Sequence, residues 1–317
     1  MSKSRPIGEK ASEEPQAAGR GRYTLFGEDR GCPTLAPGLY IVATPIGHLA
    51  DISLRALETL AAADLIACED TRVTSKLLAR YAIARPLLPY HEHNASVMRP
   101  RLLTELQAGR AVALVSDAGT PLISDPGYRL VREAQAAGHT VTAIPGPSAA
   151  LAALVIAGLP TDRFFFEGFL PPREAARRSR IADLAAIPAT LILFETGPRL
   201  PTALADLAAG LGAREAAVCR ELTKLHEEVR RGDLGQLAHD YAQGAEMRGE
   251  FVIVIAPPQE RPGLVGEDQV DELLRSALST ASLKDAVEAV TAASGQPRRL
   301  VYQRALALSK ERGDGRD

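Results

Sequence analysis

Along this chain, short apolar runs of strand length alternate with amphipathic stretches of helical spacing, and most runs end in a polar or small-residue loop. In the first half the runs fall at 39–44, 65–68, 87–90, 111–115 and 141–144. Between them lie a helix capped by Ser53, a second through 73–83, a third through 98–108 closing at Gly109, and a fourth closing at Gly138. This βαβα order predicts a mainly parallel sheet covered on both faces. The stretch 111–150 carries the clearest pattern. Its first strand stops at Ser116-Asp117-Ala118-Gly119-Thr120-Pro121, and its second at Pro145-Gly146-Pro147-Ser148-Ala149. Asp125-Pro126 reads as an N-cap followed by proline at the first helical position. Two strands that each end in a small-residue loop predict two loops at one carboxyl edge, where open α/β sheets bind ligands.

The second half repeats the texture with a break. An Ala-rich helix over 149–157 ends at Gly158, and Leu159-Pro160-Thr161-Asp162 reads as a hinge. Strands follow from 164, over 191–194, 217–220 and 251–255, with a helix over 200–210. From 268 to 312 the pattern is helical, with helix-turn-helix spacing and a last helix that opens on Arg298-Arg299 and carries Arg304. The expected division is a disordered leader over 1–37, an α/β domain over 38–159, a second over 160–258 and a helical segment over 264–312.

Composition narrows the function classes. The 317 residues are 46% apolar and 24% charged, as in ordinary globular chains. Aromatics make up only 4% and there is no Trp, which argues against a base-stacking surface for single strands. A net charge of −2 excludes a basic nucleic-acid coat, so RNA contact has to come from local patches. The densest is Arg173, Arg177, Arg178 and Arg180. Three scattered cysteines give neither a disulfide framework nor a zinc site and fit a reducing cytoplasm. No signal peptide or bilayer-spanning run is apparent.

Several chemistries are disfavoured by missing motifs. There is no G-x-G-x-x-G after the first strand, no Walker loop and no G-x-S-x-G elbow. His91-x-His93 lacks a third metal ligand at a convincing spacing. What remains is a rim of polar loops at strand ends, over 44–48, 69–72, 91–94, 116–120, 145–149, 195–199 and 221–224. Such a rim suits a zwitterionic nucleoside ligand held mostly by backbone groups.

Taken together and in order, LYIVATPIGHLADISLRALETL, DLIACEDTR, HEHN, LVSDAGTPLISDPG, IPGPSAA, GLPTDRFFFEGFLP and RELTK resemble the ribosomal RNA small subunit methyltransferase I family, within the tetrapyrrole methylase superfamily. The resemblance covers about 38–255 and, more loosely, the C-terminal helices. It implies two α/β domains of tetrapyrrole-methylase type with a cofactor cleft between them, plus a small C-terminal helical segment. It further implies S-adenosylmethionine as methyl donor, 2′-O-methylation of cytidine 1402 of 16S rRNA in the small ribosomal subunit, a homodimer, and neither metal nor membrane. Superfamily cofactor contacts fall on Pro45, on Ala118, Gly119, Thr120 and Ile123, on Ser148 and Ala149, and on Glu195 and Leu222. Two departures stand out: His48 replaces an Asn, and Gly197-Pro198 replaces a more polar pair before Arg199.

The reaction so implied needs a group to take the proton of a weakly acidic ribose hydroxyl. Asp70 and Glu221 are the candidates, with Arg72 and Lys224 orienting the acceptor and His91 and His93 in reserve. A tetrapyrrole carbon methylase and a non-catalytic RNA-binding protein of the same fold are the alternatives. EDTR, HEHN and the terminal helices speak against the first, and the intact small-residue loops against the second.

Overall fold

The computed structural model describes residues 21–244, 248–258 and 267–313. The chain divides into two compact units after residue 257. Residues 1–20, most of the expected leader, lie outside the described residues. The rest of that leader corrects the sequence expectation, because it opens on a hairpin of β1 (Arg22–Leu25) and β2 (Glu28–Gly31). Its two-residue turn, Phe26-Gly27, has positive φ at both positions, the geometry that matches strand twist. Tyr23 is buried among Leu57, Leu60 and Tyr81, and the Thr24 N–H donates to Tyr81 O at 2.8 Å. With the Gly21 N–H donating to Ala61 O at 3.2 Å, one buried aromatic and two backbone bonds hold the segment down.

The first lobe runs β3 (Gly38–Val42), α1 (Leu54–Ala62), β4 (Leu65–Cys68), α2 (Thr71–Arg80), β5 (Leu87–Pro89), α3 (Ala95–Gln107), β6 (Ala111–Val115), α4 (Tyr128–Ala136) and β7 (Val141–Ile144). Its five strands pair in parallel in the order β5-β4-β6-β3-β7. Every residue of β4 and β6 is buried, as expected of strands covered on both faces. Apolar clusters lie on either side of the sheet, one around Leu57, Leu60 and Ile66, the other around Leu102, Leu114 and Leu130. The carboxyl ends of β6, β3 and β7 are therefore adjacent.

A further helix, α5 (Ala149–Ala157), leads to the second lobe: β8 (Phe164–Phe169), α6 (Glu174–Ala185), β9 (Thr190–Thr196), α7 (Leu200–Leu211), β10 (Glu215–Arg220), β11 (Glu228–Asp233), α8 (Leu234–Gln243) and β12 (Glu250–Ile255). The strand order is β11-β10-β12-β9-β8, parallel only between β8 and β9. One face of this sheet buries Leu184, Leu204 and Leu237 from α6, α7 and α8. The other face packs on Ala150, Ala153, Leu154 and Ala157, so α5 belongs by packing to the second sheet although it precedes the hinge. Arg231 of β11 fixes the far end of α5 by donating to Ile156 O and Ala157 O.

The second unit is a three-helix cluster: α9 (Glu267–Thr280), α10 (Leu283–Ser294) and α11 (Arg298–Gly313). Val270, Leu274, Val287, Val290, Val301 and Ala305 form its core. Ser282 caps α10, and Gly295 ends it in the left-handed region at φ 64°. Arg304 grips Asp271 of α9 with Nε at 2.7 Å and Nη2 at 2.8 Å, so its charge ties two helices of the cluster together. Arg298 and Arg299 are exposed.

Candidate active site

Three loops meet at the carboxyl edge of the parallel sheet. The loop after β3 crosses the loop after β6 through a two-bond bridge: the Thr44 N–H donates to Gly119 O at 2.9 Å and the Gly119 N–H to Thr44 O at 3.0 Å. The Thr120 hydroxyl donates to Pro147 O of the loop after β7 at 3.2 Å. Gly119 sits at φ +78°, and a Cβ there would lie 3.3 Å from Ile46 Cγ2, so the crossing needs glycine. Ser148 then caps α5 with its hydroxyl.

These loops wall one side of a cavity of about 310 Å³ between the two sheets. Phe169, Phe194, Cys219 and Val252 line the opposite side. Of the nine residues expected at the cofactor, eight reach the cavity: Ala118, Gly119, Thr120, Ile123, Ser148, Ala149, Glu195 and Leu222. Pro45 is buried beside it and leaves the lining to its neighbour Ile46.

Two clasps between the lobes bound the cavity. On one side the His48 N–H donates to Thr223 Oγ1 at 3.1 Å, and a Cβ on Gly47 would strike Lys224 Cγ and Thr223 Oγ1, each at 2.6 Å. The His48 ring accepts the Ala50 N–H at 3.3 Å, so histidine still caps the turn where the family has asparagine. On the other side, a Cβ on Gly168 would come 3.0 Å from Ser124 Oγ. Glu221, Thr223, Leu122 and Ser124 all hold positive φ without being glycine, which concentrates backbone strain at these contacts.

The expected catalytic quartet splits. Lys224 lines the cavity, whereas Asp70, Arg72 and Glu221 do not. Asp70 caps α2 by accepting the Arg72 N–H at 2.8 Å and is gripped by the Arg72 guanidinium, 2.5 Å at its closest. Those bonds lower its pKa to about 2, which makes it a poor proton acceptor. Glu221 takes the Lys224 ammonium at 3.0 Å and the Glu250 N–H at 2.9 Å. Burial alone would raise Glu221, but these bonds hold it below the usual carboxylate range. Burial would likewise lower Lys224, but Glu250 and Glu221 outweigh it and keep the amine a cation.

The carboxyls poised to exchange a proton are ones the sequence reading passed over. Glu69, Asp117 and Asp125 line the cavity, and burial raises all three. Asp125 is raised to about 6, by burial first and then by Glu69, with a smaller opposing pull from Ser116. Here the expected cap is corrected: α4 starts at Tyr128 with Gly127, at φ 137°, in the N-cap place. A Cβ at Gly127 would lie 2.9 Å from Leu114 Cδ2, so only glycine lets the helix start this close to β6. Asp125 is thereby left to face the cavity. Cys219 is a neutral thiol there, pushed up to about 11 by burial.

Other expectations resolve differently. His91 and His93 lie outside the lining, with ring centroids 6.1 Å apart. Among the described residues no group of three or more His, Cys, Asp or Glu is arranged to hold a metal ion. The basic cluster on α6 is mostly structural. Arg177 is buried and donates to Asp206 at 2.7 Å, Arg178 donates to the other oxygen at 2.9 Å, and Arg180 grips Glu167 through two bonds of 2.7 Å. Arg173, just before the start of that helix, remains exposed.

The profile of the Tetrapyrrole (Corrin/Porphyrin) Methylases matches residues 38–238, and that of the RsmI C-terminal HTH domain matches 265–309. A ribosomal RNA small subunit methyltransferase I from Mesorhizobium japonicum is 52% identical over 89% of this chain and 95% of its own length. The chain belongs to the ribosomal RNA small subunit methyltransferase I family. A second member, from Xylella fastidiosa strain Temecula1, is 47% identical over 84% of this chain and 98% of its own. Among solved structures, the methyltransferase CobJ superposes with a TM-score of 0.54 at 19% identity, covering 69% of this chain and 94% of that one. That likeness shows the fold: the tetrapyrrole-methylase pair of α/β lobes, with the helical segment added. Three departures from the expected elements concern the second lobe, where α6, β11 and α8 were not read from the hydrophobic pattern. The signal for β11 is weak because EVRRGD is an edge strand facing solvent.

Proposed function

We propose that this protein transfers the methyl group of S-adenosylmethionine to the 2′-oxygen of a ribose in small-subunit ribosomal RNA, with cytidine 1402 of 16S rRNA as the position and the assembled subunit as substrate. The observation that carries the reading is the cavity between the lobes, in which the Gly119 and Ser148 loops face Glu195 and Lys224. Glu195 supports a nucleoside ligand there. One of its oxygens accepts the Thr196 N–H at 2.8 Å, while the other is buried with no hydrogen-bond donor and only Arg199 at 3.3 Å. A buried acceptor of this kind calls for a donor from the ligand. When bound, S-adenosylmethionine supplies a methyl group already activated by positive charge.

The chain's own work is then positioning and proton handling. Ala118, Gly119, Thr120, Ile123, Ser148, Ala149, Glu195 and Leu222 hold the donor. Lys224, kept charged by Glu221 and Glu250, stands where the cavity opens and orients the acceptor. Asp125 takes the hydroxyl proton. It lines the cavity, has no ion pair among the described residues and is mostly ionised at neutral pH. Asp70 and Arg72 hold the start of α2 at the rim, next to Asp117, whose carboxylate accepts the Asp70 N–H at 2.9 Å. We also propose that the protein works as a cytoplasmic homodimer, which sedimentation at micromolar concentration tests. No described helix is long and apolar enough to cross a membrane.

The deciding experiment incubates purified small subunits with labelled S-adenosylmethionine and maps the product by nuclease digestion and mass spectrometry. A 2′-O-methyl cytidine at the proposed position is expected. A methyl on a base or a carbon, or none on subunits, would overturn the reading.

A further inference from the structure

Beside the cavity, on the far side of the Gly47–Thr223 clasp, lies an open groove of about 630 Å³. Its walls come from both lobes: the turn at His48, the end of α2 at Arg80 and Tyr81, and the turn carrying Lys224 and Leu225. Lys224 lines both spaces. Their charges are opposite. Glu69, Asp117, Asp125, Glu195 and Glu250 face the cavity against a single cation, Lys224. The groove is lined by two cations, Arg80 and the Lys224 that Glu221 and Glu250 share, and by no carboxylate. Glu227 stands close by, but its carboxylate takes the Thr223 N–H at 2.6 Å and is not in the lining.

A methyl donor with a sulfonium suits the acidic cavity, and a phosphodiester strand suits the cationic groove. Arg80 is exposed, its guanidinium 6.0 Å from the centre of the Tyr81 ring, and no salt bridge of the described residues uses it. Leu225 is 92% exposed at the mouth, an apolar wedge of the kind that nucleic-acid proteins set against bases. The turn that presents it is fixed by the clasp, with the His48 N–H bonded to Thr223 Oγ1 at 3.1 Å and positive φ at Glu221 and Thr223.

From this we infer that the groove is the acceptor path: single-stranded RNA lies across His48, Arg80 and Leu225 and delivers one ribose past Lys224 into the cavity. The inference rests on the ribosomal RNA methyltransferase reading and adds where the RNA runs.

Arg80→Glu and Leu225→Ala in the full chain test it. Three quantities are read: KM for small subunits, affinity for S-adenosylhomocysteine by calorimetry, and anisotropy of a fluorescent single-stranded oligoribonucleotide at several salt concentrations. With Arg80→Glu, KM should rise at least about tenfold and the slope of log affinity on log salt should fall by about 1, with cofactor affinity unchanged. Leu225→Ala should weaken RNA binding without changing the slope. Unchanged RNA binding in both variants removes the groove from the path. So does a loss of cofactor affinity in step with KM, or a change of oligomeric state that accounts for the loss, which would make the groove an interface between copies. If the wild type leaves subunits unmethylated yet the oligonucleotide still depends on Arg80 and Leu225, the groove stands and the proposed reaction falls.

Discussion

Gly47 lies so close to Lys224 that a Cβ on it would sit 2.6 Å from the lysine Cγ. The lysine could bend away, but Thr223 Oγ1 at 2.6 Å and Leu222 O at 3.1 Å block the same space and are anchored by the turn. Gly47→Ala should therefore push the lobes apart at this clasp. Since displacements near 1 Å matter greatly for oriented reactants, methyl transfer should fall by roughly 10- to 100-fold, with only a small drop in melting temperature. Single-turnover rates beside thermal melts check this; a wild-type rate would show that the clasp does not set the geometry.

Asp125 makes the pH dependence specific. An unfolded Asp holds its proton only below about 4, whereas Asp125 in the fold holds it up to about 6. Between these values the folded state binds more protons, so this group's contribution to stability falls as pH rises through the window. Asp125→Asn should melt higher than wild type at pH 8 and about equally at pH 4. Methyl transfer by the wild type should rise as pH passes 6, and the variant should lose both the rate and that inflection. A variant that keeps the inflection would move the proton acceptor to Glu69 or Asp117.

Much of this site was legible in the residues themselves. The β3, β6 and β7 loops are spelled by glycine, proline and serine because the crossing of Thr44 with Gly119 tolerates little else. The proton-handling groups were not legible, because a pKa depends on what the fold buries. Asp70 looks like a free acid in EDTR but is spent on a helix cap and a guanidinium, while Asp125 looks like a cap in SDPG and is left to the cavity. Likewise Arg177 reads as surface charge on α6, although it is buried against Asp206. The hairpin at 22–31 hid in a polar segment because Tyr23 is the one buried side chain of its strands, and the bonds from Gly21 and Thr24 that help to hold it are made by the backbone.

Asp70 and Lys224 should separate cleanly. Asp70→Asn keeps a capping oxygen at the start of α2 and loses only the charge that Arg72 grips, so the melting temperature should fall slightly with turnover near wild type. Lys224→Met leaves Glu221 and Glu250 without their shared cation and removes the charge that orients the acceptor. Turnover should fall by about 10²-fold while affinity for S-adenosylhomocysteine changes little. If Asp70→Asn is the slower enzyme, the roles assigned to the two residues are reversed.

The Asp206 carboxylate holds Arg177 and Arg178 at once, and it is as buried as Arg177. Burial alone would raise it, but the two guanidinium bonds prevail and keep it below its ordinary value. Removing one partner of a buried pair strands the other's charge, so Asp206→Ala should cost about 3–5 kcal/mol in urea unfolding. Arg173→Ala, at the exposed residue that precedes α6 and makes no side-chain cap bond, should cost almost nothing. Equal effects would mean that the α6 cluster is a solvated patch after all.

Gly119 tests the cofactor side alone. At φ +78° an alanine pays left-handed strain of about 1–2 kcal/mol, and its Cβ presses on Ile46 Cγ2 at 3.3 Å. Ile46 lines the cavity, so the pressure passes directly to the space the donor occupies. Gly119→Ala should weaken S-adenosylhomocysteine binding in calorimetry, and Gly119→Val should abolish it. Binding of the oligoribonucleotide should persist in both variants, because the groove at Arg80 and Leu225 shares only Lys224 with the cavity. Loss of both ligands together with loss of the folded state would assign Gly119 to the sheet edge; loss of the cofactor alone assigns it to the donor site.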